Sequence, residues 1–287
     1  MFGRELCDDT EARRRGFGDA ISARRRRVLH ETLTAFEQCQ PPGRYHHLAA
    51  ANLARWKSAA RGLEAGTKVQ VIPGDWGEVT RSLTKAYGTC FAVLNMAHPH
   101  VPGGAYVEGA AAQEENMFRR TDCHFCIEPQ HVDPETDFYV PEMTALLCGQ
   151  KGNVYCDCQK PRICIRGRED RSKSDLGYAW LPEDEVFPFY ELRAAAQDLR
   201  DGSIFDEGEA RRRIVAQLET LRTHGLRFAV LGAFGCGAFM NPADVIARIY
   251  NNEIASRKEF FTKIAFAIFS AGYGPDNYSS FAAVFDK

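Results

Sequence analysis

Asn95-Met96-Ala97-His98-Pro99-His100-Val101-Pro102-Gly103-Gly104-Ala105, followed after seven residues by Gln113-Glu114-Glu115, is the stretch on which the reading of this chain turns. Just before it, Phe91-Ala92-Val93-Leu94 is a short apolar run of the kind a buried strand uses, and Pro99, Pro102 and the Gly103-Gly104 pair end it. A loop therefore opens where a sheet strand stops. Glycines without Cβ atoms let the backbone approach a ligand and turn several N–H groups toward one point, a concave donor site for phosphate oxygens. Gly109-Ala110-Ala111-Ala112 then leads into two consecutive acids with no solvated charge pattern around them. Small side chains there let the carboxylates sit against a bound molecule. Taken alone, the two acids also fit a solvated first helical turn, where the dipole favours negative charge.

A second glycine-rich segment lies roughly 120 residues on. It is Leu231-Gly232-Ala233-Phe234-Gly235-Cys236-Gly237-Ala238-Phe239, followed by Asn241-Pro242-Ala243-Asp244. The apolar run at Phe228 to Gly232 reads as another strand, and the following helix, Asn241 to Ile254, points its positive end back at the glycines. Further strands are expected at Lys68 to Ile72, Glu191 to Ala196, Ile264 to Ser270 and Phe281 to Phe285. Helices are expected at Asp19 to Gln38, Tyr45 to Leu63 and Glu207 to His224. Strands alternating with amphipathic helices indicate an α/β fold with a layered sheet covered on both faces.

Gly103-Gly104-Ala105, seven residues and Gln113-Glu114-Glu115 resemble the signature of the poly(ADP-ribose) glycohydrolase family of the macrodomain superfamily, and the second segment resembles that family's diphosphate-closing loop. The resemblance runs from about Val69 to the C-terminus and is weakest between Cys123 and Phe187. It implies a three-layer α/β/α macrodomain with a mixed central sheet. Residues 67–287 would be the catalytic core, and residues 1–66 an N-terminal helical extension packed on it.

Residue by residue, the resemblance implies that Glu115 is the acid and base of glycosidic cleavage and that Glu114 holds the ribose hydroxyls. Asn95 and His98 would face the terminal ribose, where the family has Asn at the position of His98. Gly103, Gly104, Ala105, Gln113, Gly235, Cys236, Gly237 and Ala238 would line the ligand, with Phe239 against it and Tyr273 as a candidate for packing on adenine. His98, Phe239 and the acids also admit ordinary structural readings. Ala105 stands where a third glycine is usual, which keeps the backbone donor but disfavours positive φ. The expected activity is release of ADP-ribose from poly(ADP-ribose) or from ADP-ribosylated protein, with mono-ADP-ribosyl-protein hydrolysis, for example at arginine, and non-catalytic ADP-ribose binding as alternatives. No cofactor is required by such chemistry.

Composition bounds these readings. The 287 residues suit one decorated domain, and 45% hydrophobic with 26% charged residues is an ordinary globular balance. A net charge of −2 offers no field for polyanions, so direct nucleic-acid binding is not expected. Arg13-Arg14-Arg15 and Arg24-Arg25-Arg26-Arg27 form local basic runs, read either as a steering arm for a phosphate-rich polymer or as a solvated face or frayed tail. No apolar run approaches a membrane span and the first thirty residues lack a signal-peptide core, so an intracellular, cytoplasmic or nuclear protein with reduced thiols is expected. Cys123-His124-Phe125-Cys126, with Cys156 and Cys158 later, has the outline of a structural zinc site, but the second half is CxC and dictates no geometry. Buried or surface thiols are the ordinary reading.

Overall fold

Six strands form one mixed sheet in the order β1-β6-β5-β2-β4-β3. The computed structural model describes residues 4–39, 43–60, 68–270 and 274–286. Three helices come first, α1 (Asp9–Arg14), α2 (Ala20–Glu37) and α3 (Arg44–Ala59). Then follow β1 (Lys68–Pro73), α4 (Trp76–Tyr87), β2 (Ala92–Met96), α5 (Gln113–Phe118), α6 (Pro141–Leu147), β3 (Tyr155–Cys164) and β4 (Phe187–Ala194). The chain closes with α7 (Glu207–Thr223), β5 (Phe228–Leu231), α8 (Ala243–Ala255), β6 (Lys263–Ile268) and α9 (Asn277–Phe285). Pairing is parallel from β1 through β6, β5 and β2 to β4, and β3 runs antiparallel along β4.

The side-chain period of two sends alternate residues of each strand into opposite layers. Val93, Val230 and Ala265 join a core with Trp76, Val79 and Leu83 of α4 and with Leu29, Leu33 and Trp56 of α2 and α3. Leu94, Leu231 and Phe266 enter a second core with Ile214 and Leu218 of α7, Ile249 of α8 and Phe281 of α9. This is the expected three-layer α/β/α arrangement. The rest of the α2 and α3 stripe packs elsewhere: Phe36 and Ala49 join Ile163, Ile165 and Val186, and Val28 joins Leu176 and Tyr178.

Two expectations change. Phe281 to Phe285 is part of helix α9, not a strand; Asp276 caps that helix by accepting from Ser279 N, and Phe281 and Phe285 pack on Phe266. A short aromatic run fits either period, and the cap decided it. The basic runs divide: Arg13, Arg14 and Arg15 are exposed, as a solvated face would be, whereas the second run is partly built into the fold. Arg25 is buried and bidentate to Glu169, and Arg26 donates to the carbonyls of Phe17 and Glu108.

Candidate functional site

β2 and β5 are neighbours in the sheet, so the loops that leave their C-terminal ends emerge side by side. In parallel α/β sheets ligands bind at such carboxyl ends. The first loop folds back on itself and delivers α5, whose first turn carries Glu114 and Glu115. Gln113 fastens that turn to β2: its Oε1 accepts from Met96 N at 2.9 Å and its Nε2 donates to the Leu94 carbonyl at 2.9 Å.

Both carboxylates are buried and both close on the glycine turn. Glu114 Oε2 accepts from His98 N at 2.7 Å, and Glu115 Oε1 accepts from Ala105 N at 3.1 Å. Gly103 and Gly104 have φ of 74° and 60°, in the left-handed region, while Ala105 stays out of it. Gly104 is required twice over, since a Cβ there would stand 2.4 Å from Glu115 Oε1 and 3.3 Å from Glu114 Oε2. Burial raises the Glu114 carboxyl well above the usual range, and the charge of Glu115 adds to it. Burial also raises Glu115, with its backbone hydrogen bonds pulling the other way. A proton is therefore held by this pair at pH values where ordinary carboxyls are ionised. Among the described residues, Glu114 Oε1 and Asn95 Oδ1 are buried without a partner.

Beneath the pair lies a charged network on β4. Glu191 is fully buried between Arg162 Nε at 3.1 Å and Arg193 Nη2 at 2.9 Å, and it accepts from Asn95 Nδ2 at 2.7 Å. Burial alone would raise its carboxyl, but Arg193 and Arg162 hold it down at about 2. The charge of Arg193 also draws Glu114 downward. Asn95 therefore turns its amide into this network.

His98 Nδ1 accepts from Val101 N at 2.9 Å and from His100 N at 3.1 Å, which leaves Nε2 to carry the ring proton. Burial, then the neighbouring His100, lowers its pKa to about 4. The ring meets Phe239 of the second loop edge-on, centroids 6.4 Å apart. Gly235 has φ 75°, and Asn241 Nδ2 staples its loop by donating to the carbonyls of Gln197, Gly235 and Phe239. Cys236 is buried, whereas Gly237 and Ala238 are exposed at the tip ahead of α8. Tyr273 lies outside the described residues.

Sequence reasoning missed several groups that line or support this centre. Asp198 and Arg200, in the loop after β4, pair with each other, and the Arg200 guanidinium lies 4.9 Å over the Phe239 ring. Arg4 reaches the first glycine turn from the N-terminus. None carries a local motif; only the strand order brings their loops here.

All ten cysteines are free thiols. Among the described residues no group of three or more His, Cys, Asp or Glu side chains is placed to hold a metal. Cys123 is sealed in the core, burial pushes the thiols of Cys126 and Cys156 to about 12, and Cys158 faces His224 Nδ1 at 3.3 Å.

Fold and site define the class: a macrodomain-type α/β protein with a buried carboxylate pair clasped by a glycine turn. Within that class, residues 25–144 match the model of the microbial-type PARG catalytic domain. Its fold is that of poly(ADP-ribose) glycohydrolase from Thermomonospora curvata, at 24% identity and TM-score 0.64, covering 91% of this chain and 99% of that one. The same enzyme bound to the inhibitor ADP-HPD matches at 23% identity and TM-score 0.61, covering 90% and 98%. The glycohydrolase from Deinococcus radiodurans in complex with ADP-ribose matches at 20% identity and TM-score 0.58, covering 84% and 91%. No curated protein matches the chain. No helix among the described residues is long and apolar enough to cross a membrane.

Proposed function

We propose that the chain is a hydrolase that cleaves the glycosidic bond at the terminal ribose of ADP-ribose, releasing ADP-ribose from poly(ADP-ribose) or from ADP-ribosylated protein. The observation that carries this reading is the buried Glu114–Glu115 pair pressed against Gly104, with both pKa values raised. A protein that only binds ADP-ribose has no need of two buried acids that keep a proton. Glu114 Oε1 and Asn95 Oδ1, buried and unpartnered among the described residues, are acceptors suited to ribose hydroxyls.

The chemistry needs one proton used twice. Protonated Glu115 gives its proton to the leaving oxygen as the bond to C1″ breaks, and an oxocarbenium-like sugar forms. The resulting carboxylate then takes a proton from water as the water oxygen bonds to C1″, which restores the acid. Glu114 fixes the sugar, and the second loop with the α8 N-terminus offers backbone donors to the diphosphate.

The test is turnover. Wild type and Glu115→Ala are incubated with poly(ADP-ribose) and, separately, with mono-ADP-ribosylated protein. Release of ADP-ribose by wild type only supports the reading, and the productive substrate identifies the linkage. Binding of ADP-ribose without release from either substrate would make the protein a reader.

A further inference from the structure

The carboxylate turn has a support from the far N-terminus that lies outside its own motif. Arg4 Nη1 donates to the Gly104 carbonyl at 2.6 Å, and Arg4 Nη2 donates to Glu108 Oε1 at 2.9 Å. The Arg4 and Glu108 side chains are only 10% and 5% exposed, so this is no solvent-screened surface pair. Arg15 Nη1 shares Glu108 Oε1 at 2.6 Å but makes no hydrogen bond to Gly104.

The Gly104 carbonyl and the Ala105 N–H belong to one peptide group. Arg4 holds its oxygen, and its nitrogen donates to Glu115 Oε1. A planar peptide cannot turn one end without the other. A cation on the oxygen polarises the group and strengthens donation from its N–H. We propose that Arg4 is a positioning residue that orients the Glu115 carboxyl through the Gly104–Ala105 peptide. The inference rests on the hydrolase reading for its consequence in turnover, but the peptide link stands on geometry alone.

The experiment compares Arg4→Ala, Arg4→Lys and Arg15→Ala in the full chain. Arg4→Ala should lower kcat by about ten- to a hundredfold with KM little changed, as expected when a reacting group is misplaced but binding is kept. Arg4→Lys should recover part of that loss, because an ammonium can reach the carbonyl but cannot span both partners. Arg15→Ala should keep wild-type kcat. Hydrogen exchange of the Ala105 amide needs no turnover, and it should quicken by about tenfold in Arg4→Ala and not in Arg15→Ala. Unchanged Ala105 exchange in Arg4→Ala, or equal losses in both alanine variants, overturns the proposal. A wild type that exchanges as expected yet releases nothing from either substrate defeats the hydrolase reading instead.

Discussion

A methyl group on Gly104 would sit 2.4 Å from Glu115 Oε1, so the glycine and the carboxylate occupy adjoining space with nothing to spare between them. The glycine turn thus accommodates the acids as well as any ligand. Gly104→Ala must both adopt φ near 60° and displace a buried carboxyl. We expect a stability loss of about 2–4 kcal/mol from strain and overpacking together, with kcat reduced by about a hundredfold from misplacement. Urea unfolding and initial rates check both; a variant with wild-type rate would show that the turn has room the structure denies.

The raised carboxyls set the pH dependence. A reaction needing the protonated pair runs below its raised pKa values and fails as pH climbs through them, so kcat/KM should show a falling alkaline limb that the residual rate of Glu115→Ala lacks. Stability follows the same sign: the folded pKa exceeds the unfolded one, so the contribution is full below the ordinary carboxyl value and is lost as pH rises. Glu115→Gln should therefore melt above wild type at about pH 7.5 and close to it at about pH 4. Equal melting temperatures at the higher pH would contradict the burial argument.

His98 has the opposite sign. Its pKa falls to about 4 in the folded chain, against about 6.5 when unfolded, so protonation favours unfolding and stability is lost as pH drops between those values. His98→Asn removes this titration, while its Oδ1 can accept from the Val101 and His100 N–H groups as Nδ1 does now. Melting curves across that interval should be flatter for the variant. An unchanged slope would place the titration elsewhere.

Arg193→Met leaves Glu191 buried with one of its two arginines gone. We expect about 3–5 kcal/mol of destabilisation, the usual cost of stripping one partner from a buried charge. Urea midpoints measure it, and a loss below about 1 kcal/mol would mean the network adapts.

Much of the architecture was readable because it rests on local rules. The apolar runs at Phe91 and Phe228 became β2 and β5, and Gly103-Gly104 became the turn they announce. β3 was missed because its residues from Tyr155 to Cys164 mix Cys, Asp, Gln, Lys and Arg around a bulge, and its partner Phe187–Ala194 is distant in sequence. α4 passed unnoticed although Asp75 caps it and Gly88 ends it with φ 60°. The charges under the site were not legible for another reason. Glu191 and Arg193 look like the polar face of a strand, and only α/β layering with Arg162 opposite explains why they are buried. Arg4 and Arg200 reach the centre through chain topology, for which no spacing rule exists.

The amide of Asn241, holding carbonyls of Gln197, Gly235 and Phe239 at once, makes the wall opposite the acids a finished mould. Little conformational freedom is left there for a guest to quench. Encounter with a diphosphate should therefore follow a single fast phase in stopped-flow mixing, governed by diffusion and charge, with no slow rearrangement behind it.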